Sequence, residues 1–213
     1  MSVATLVFDL DGTISDSSPG IIRSFNHALK VHGFEAAPEA AIAAEIGPQI
    51  DKTFLKLADG LEPARVPDMV VTYRERYATT GYAENTLYPG IYDAITGLAA
   101  SGVTLGVCTS KREDLAIKVL DHFELLQCFS FVSGGDVGIR KQDQLRDLLA
   151  AGRVAPDAWM IGDRDIDIAS AKANGLRALG VRWGFGAPGE LERAGADRVA
   201  ADVGEMLDIV AEA

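Results

Sequence analysis

Leu6-Val7-Phe8-Asp9-Leu10-Asp11-Gly12-Thr13-Ile14-Ser15-Asp16-Ser17 is the stretch on which the fold turns. It ends a short apolar and β-branched run, Val3 to Phe8, with a polar cluster that begins abruptly at Asp9. A run of that length with successive rather than alternate apolar positions predicts a strand buried on both faces. A carboxylate at the end of such a strand stands on a rigid element, and Gly12 lets the chain turn so that backbone amides face an anion. Asp9 and Asp11 are close enough in sequence for such a turn to bring both side chains to one site. Neighbouring carboxylates repel and raise each other's pKa unless a cation separates their roles. A hard divalent ion such as magnesium removes the conflict, because it takes a few oxygen ligands and keeps room for waters and phosphate oxygens. A calcium loop is the competing reading, but an EF-hand needs Gly at its sixth place and Glu at its twelfth. Counted from Asp9, the fourth place is Gly12 and the twelfth is Gly20.

Working outward, similar runs recur at Val103 to Cys108, Phe129 to Val132, Ala158 to Ile161 and Ala178 to Val181. Between them, Ile91 to Ala100, Arg112 to His122, Gln142 to Ala151 and Asp165 to Asn174 carry apolar residues at helical spacing. Gly102, Gly152 and Gly175 stand where C-terminal caps belong. Strands that alternate with helices predict an α/β fold with a parallel sheet, helices on both faces and a crevice at the carboxyl ends of the strands. From about Pro19 to Tyr82 the alternation breaks, and only helical patterns remain. Helices are expected from Ser18 to Val31, Pro38 to Glu45, Asp51 to Ala58 and Pro63 to Thr79. The expected organisation is a core of residues 1–15 and 85–213 with a helical insert, 16–84, after the first strand.

Three further clusters fall at strand ends. Gly162-Asp163-Arg164-Asp165-Ile166-Asp167 supplies a second set of carboxylates. Asp163 is nearest its strand and is the expected direct metal ligand; Asp167, one helical turn later, suits a supporting role, orienting a bound water or a lysine. Arg164 and Asp165 read as solvated first-turn residues. Thr109 and Ser110, with Lys111 beside them, offer hydroxyls and a free amide at a strand-to-helix junction, which suits phosphate. Lys141 opens a later helix and is placed to neutralise a nucleophile or a transferred phosphoryl group, with Arg140 as its competitor.

The formal net charge of -11 argues against a nucleic-acid binder, which would present a basic stripe to phosphates. An anionic partner must instead meet a local positive site. Two cysteines, Cys108 and Cys128, do not make a disulfide framework and read as free thiols. No basic leader or membrane-length apolar run is visible, so a cytoplasmic protein with no membrane or nucleic-acid partner is expected.

Taken together and in this order, the four clusters resemble the four motifs of the haloacid dehalogenase superfamily, over essentially the whole chain. Leu6 to Ser17 reads hhhhDxDGTxxDS, and Gly162 to Asp167 reads GDxxxD. Within the superfamily the chain is similar to the phosphoglycolate phosphatase group: the insert lies between the first and second motifs, and Ile46-Gly47-Pro48 and Val181-Arg182-Trp183-Gly184-Phe185-Gly186 resemble its cap segment and late loop. The resemblance implies a three-layer Rossmann-like core with a small helical cap. It implies that Asp9 forms an aspartyl phosphate, and that Asp11 protonates the leaving oxygen and then activates water. It also implies magnesium held by Asp9, the backbone carbonyl of Asp11 and Asp163, phosphoryl oxygens held by Thr109 and Lys141, and a substrate-facing cap segment at Gly47, Pro48 and Gln49. Asp11 separates subfamilies, since dehalogenases lack this second acid and enzymes that cleave phosphorus–carbon bonds carry another residue there.

One departure stands out: the third motif commonly reads Lys-Pro-x-Pro, whereas Lys141 is followed by Gln142-Asp143-Gln144, so Arg140 or Lys111 could take its place. The expected activity is magnesium-dependent hydrolysis of a small organic phosphate such as phosphoglycolate. A mutase similar to β-phosphoglucomutase and a 5'-nucleotidase are the alternatives. A phospho-accepting receiver module is the non-enzyme alternative, disfavoured because receivers lack such an insert and carry the acceptor on a later strand.

Overall fold

A computed structural model describes residues 5–47, 49–136 and 138–212. Chain order runs β1 (Thr5–Phe8), β2 (Ser15–Asp16), α1 (Ser18–Val31), α2 (Glu39–Ala43), α3 (Ile50–Leu57), α4 (Val66–Thr79) and β3 (Thr86–Leu87). It continues through α5 (Ile91–Ala100), β4 (Thr104–Thr109), α6 (Glu113–His122), β5 (Phe131–Gly134), α7 (Lys141–Ala150) and β6 (Trp159–Gly162). Then come α8 (Asp165–Ala173), β7 (Arg177–Val181), α9 (Glu190–Arg193), β8 (Arg198–Ala200) and α10 (Val203–Ala211). The main sheet has six strands in the order β5-β4-β1-β6-β7-β8. Its neighbours pair in parallel, so every carboxyl end lies on one edge.

Burial on both faces explains the apolar runs. On one face Val7, Cys108, Phe131, Met160 and Ala178 pack with Leu145 and Leu148 of α7, Ile168 and Ala171 of α8, and Leu191 of α9. Their alternates Leu6, Phe8, Leu105, Val107, Ile161 and Leu179 are equally buried and point to the other face, where α5 packs on β4 and α10 on β8. This is the three-layer α/β core that the alternation predicts. Gly102, Gly152 and Gly175 close α5, α7 and α8 with positive φ, the conformation that ends a helix and suits glycine.

The structure differs from the sequence reading at one strand and at the C-terminal end, where β8 and α10 are elements that reading did not include. The run expected as a strand from Phe129 to Val132 begins two residues later, because Leu126–Cys128 form a 3-10 turn, and it extends through Ser133 and Gly134. Those residues have little strand propensity, but they pair with Cys108 and Thr109, so ladder bonds override composition. Val3 and Ala4 lie outside the described residues.

Contacts divide the chain into two units, one running up to Asp16 and resuming at Leu87, the other Ser17–Thr86. In the second unit α1 and α4 pack together around Phe25, Phe54, Tyr73 and Tyr77. The Phe25 ring lies 4.7 Å from both Phe54 and Tyr73, and Tyr73 stacks on Tyr77 at 5.9 Å. Gly20 lets α1 approach the following segment closely, since a Cβ there would fall 2.1 Å from the Gly81 carbonyl oxygen.

Candidate active site

Register brings the polar clusters together. Phe8 lies opposite Val107 on β4 and Ile161 on β6, so Asp9 leaves the sheet level with Cys108 and Gly162. The Asp9 amide donates to the Ile161 carbonyl at 2.8 Å, so the ladder extends to this residue. Beyond it the chain folds on itself, with Ile14 and Ser15 amides donating to the Leu10 carbonyl and the Gly12 amide donating to Ser15. Gly12 has φ +85, and a Cβ on it would sit 2.2 Å from Asp163 Oδ2, so the turn and the carboxylate of β6 share space only glycine leaves.

Among the described residues, Asp9, Asp163 and Asp167 offer one oxygen each within 4.8 Å of one another, and all three are buried. Their hydrogen bonding differs. Asp163 accepts from the Thr13 hydroxyl at 3.1 Å and from the Phe185 amide at 2.8 Å. Asp167 accepts from Lys141 Nζ and from the Arg164 amide at 3.0 Å. Asp9 Oδ1 is buried and accepts no hydrogen bond among the described residues; the Lys141 ammonium at 3.0 Å acts on it as a charge rather than as an aligned donor. Asp9 is therefore the least engaged of the three.

Burial, reinforced by Asp167 and Asp9, pushes the Asp163 carboxyl well above the ordinary carboxylate range, against the pull of the Phe185 amide and the Thr13 hydroxyl. Burial also raises Asp167, to about 6, with Lys141 opposing it and Asp9 adding to it. Burial alone would lower the Lys141 ammonium, but Asp167 and Asp9 hold it above its ordinary value. One lysine thus pairs with two of the three buried acids. The excess negative charge, the all-oxygen donors and the unengaged Asp9 Oδ1 fit a hard divalent cation.

This arrangement carries a pH test. In chelator, folded Asp163 binds its proton more tightly than the unfolded chain does, so it removes stability as pH rises from about 4 through its elevated folded pKa. In metal-free protein, the stability of Asp163→Asn relative to wild type should therefore grow across that window, and saturating magnesium should reverse the order. A denaturant series across pH measures it; a difference independent of pH would contradict the upward shift of the buried Asp163 carboxyl.

The other expected residues fall around this group. Thr109, 1% exposed, ends β4; its hydroxyl accepts from the Lys111 amide at 3.3 Å, which leaves its own proton to donate. Ser110 follows, half-buried. Lys141 is buried against Asp9 and Asp167, whereas Arg140 points outward and pairs with Asp143. The Asp11 carboxylate is not in the trio: its Oδ2 pairs with Lys111 Nζ at 2.8 Å. Gly47 and Gln49 lie in the helical unit, Gln49 preceding α3, and Pro48 lies outside the described residues.

Three residues that the sequence reading quoted without a role support the site. Thr13 holds Asp163, the Trp183 indole donates to the Thr13 carbonyl at 3.0 Å, and the Phe185 amide completes the clamp. Gly184 makes this possible, since a Cβ there would lie 2.3 Å from the Gly12 carbonyl oxygen. The glycine-aromatic alternation of Trp183-Gly184-Phe185-Gly186 was the available signal. Both cysteines are free, and burial pushes the Cys108 thiol up to about 12. No helix among the described residues is long and apolar enough to cross a membrane.

Residues 6–181 match the model of a family described as haloacid dehalogenase-like hydrolase. The tyrosine-protein kinase PtkA of Mycobacterium tuberculosis is 39% identical over 186 residues, which are 85% of this chain but 62% of the kinase, so the chain spans only that part of its relative. A 5'-nucleotidase of Pseudomonas aeruginosa is 34% identical over 209 residues, 96% of this chain and 94% of that one. Among solved structures, that of a predicted phosphatase from Clostridium acetobutylicum superposes with a TM-score of 0.91 at 29% identity, covering 99% of both chains.

Proposed function

The chain belongs to the haloacid dehalogenase-like hydrolases, and from that membership we propose that it is a magnesium-dependent phosphatase acting on a small organic phosphate monoester through Asp9. The observation that carries the proposal is the state of Asp9: a buried carboxylate at the end of the central strand, with an unbonded oxygen, an ammonium at 3.0 Å and two further acids beside it. Asp9, Asp163 and the backbone carbonyl of Asp11 would hold the magnesium. When bound, it neutralises charge on the nucleophile and on the phosphoryl oxygens.

The chain's own residues do the rest. Asp9 attacks phosphorus as the bond to the leaving oxygen breaks, and Asp11 gives that oxygen its proton. Asp11, now a carboxylate, takes a proton from water as the water oxygen bonds to phosphorus and the bond to Asp9 breaks. Lys141 stays paired with Asp167 while it offsets charge on Asp9 and the phosphoryl group. The Thr109 hydroxyl and Ser110 hold phosphoryl oxygens; the Gly12 amide, expected to share this role, already donates to the Ser15 carbonyl at 2.9 Å. Phosphoryl transfer asks for little more than such alignment and neutralisation.

For substrate, phosphoglycolate and the nucleoside 5'-monophosphates are the two classes to separate; the end-to-end likeness to a 5'-nucleotidase favours keeping the second. We assign the choice of leaving group to the helical unit, with Gly47, Pro48 and Gln49 as the positions to vary first. Excess chelator should abolish hydrolysis of every ester in a panel of phosphoglycolate, nucleotides and sugar phosphates, and magnesium should restore it. Undiminished turnover in chelator would exclude the metal role. A phosphoenzyme that accumulates and returns its group to a sugar phosphate would mark a mutase instead.

A further inference from the structure

Lys111 is not needed for the metal group, yet its side chain is only 6% exposed, and burying a lysine is costly unless its charge is met. It is met by Asp11, at 2.8 Å. The backbone on either side is fixed as well. The Lys111 carbonyl accepts from the Gly135 amide at 2.9 Å, and the Lys111 amide donates to Thr109 Oγ1 at 3.3 Å. Gly134 and Gly135 allow this closeness, since Cβ atoms there would fall 2.2 Å from the Glu113 backbone and 2.9 Å from the Ser110 carbonyl oxygen. The ammonium is thus held from β4 and from the loop after β5. On Asp11 it engages Oδ2 alone, while Oδ1 is buried and accepts no hydrogen bond among the described residues.

We propose that Lys111 is a positioning residue for the proton-transfer steps: it holds the Asp11 carboxylate apart from the acids that surround Lys141, with one oxygen fixed and the other presented to the leaving group. Two buried lysines then divide the site, Lys141 serving the nucleophile and Lys111 the acid/base. The inference rests on the phosphatase reading above, and it extends that reading to a residue in direct contact with Asp11.

The test uses leaving groups. kcat/KM reports only the steps up to leaving-group departure, and an alkoxide needs a proton there whereas dinitrophenolate does not. In Lys111→Met, kcat/KM for the best alkyl phosphate of the panel should fall about 100-fold, and for dinitrophenyl phosphate by less than about threefold. A lysine that merely supported the fold or attracted phosphate would lower both together. Thermal melts establish that the variant is folded, and Lys111→Gln replaces it if it is not. Equal losses on the two substrates, or no loss on either, would overturn the inference. Asp11→Asn separates the layers of the argument. If it shows the split and the Lys111 variants do not, only the role of Lys111 fails; if it shows none, the acid/base reading beneath it fails as well.

Discussion

Asp9→Asn is expected to lower kcat for a generic aryl phosphate by roughly four orders of magnitude or more, the scale seen when a nucleophile is removed from a site whose other parts remain. The amide keeps the shape of the carboxylate and loses its charge and its nucleophilic oxygen. Stability should not fall with activity. Asp9 is one of three buried acids within 4.8 Å, so neutralising it relieves repulsion with Asp163 and Asp167, and Lys141 keeps its bond to Asp167. The metal-free variant should melt no lower than metal-free wild type. Full activity in a folded Asp9→Asn protein would end the nucleophile assignment.

Lys141→Met should produce the largest loss of stability of any single change at the site. The lysine is 2% exposed and is in ion-pair contact with both Asp9 and Asp167. Methionine matches its length and leaves those acids buried without a cation. Removing one partner of a buried pair costs about 3–5 kcal/mol, because the remaining charge is uncompensated. Lys141 is what opposes the rise of Asp167, so without it that group titrates higher still. Folding then favours the protonated acid, and the deficit against wild type should be smallest at acid pH and grow as pH rises past about 6. Magnesium should recover part of the stability. Denaturant titrations at pH values on both sides of 6 check this, and a deficit that shrinks towards neutral pH would mean that Lys141 is not compensating these carboxylates.

The contrast between these residues and their supports shows what the sequence makes legible. Asp9 and Asp163 stand directly after buried apolar runs, and a parallel sheet places such ends on one edge, so their convergence follows from local pattern and topology. Lys141 is less transparent, because its motif departs from the usual form and Arg140 is adjacent. The choice becomes visible only when the helix start turns one side chain towards Asp9 and the other towards Asp143. The clamp on Asp163 could not be derived from helical or strand periodicity. Thr13 and Phe185 meet that carboxylate from segments far apart in sequence, and the loop that carries Phe185 has neither helical nor strand periodicity. The same limit hid β8, three residues whose strand form depends on pairing with β7. Asp11 is a different case: its spacing from Asp9 suggested a shared carboxylate site, and its side chain pairs with Lys111 rather than joining the group of Asp9, Asp163 and Asp167.

Trapping the covalent intermediate tests the central claim most directly. Protein mixed with magnesium and an aryl phosphate, quenched in acid within the first turnover and digested, should yield a hydroxylamine-labile phosphoryl group on the peptide that contains Asp9. The same label on any other residue, or an unlabelled Asp9 peptide while product forms in a burst, would contradict the account.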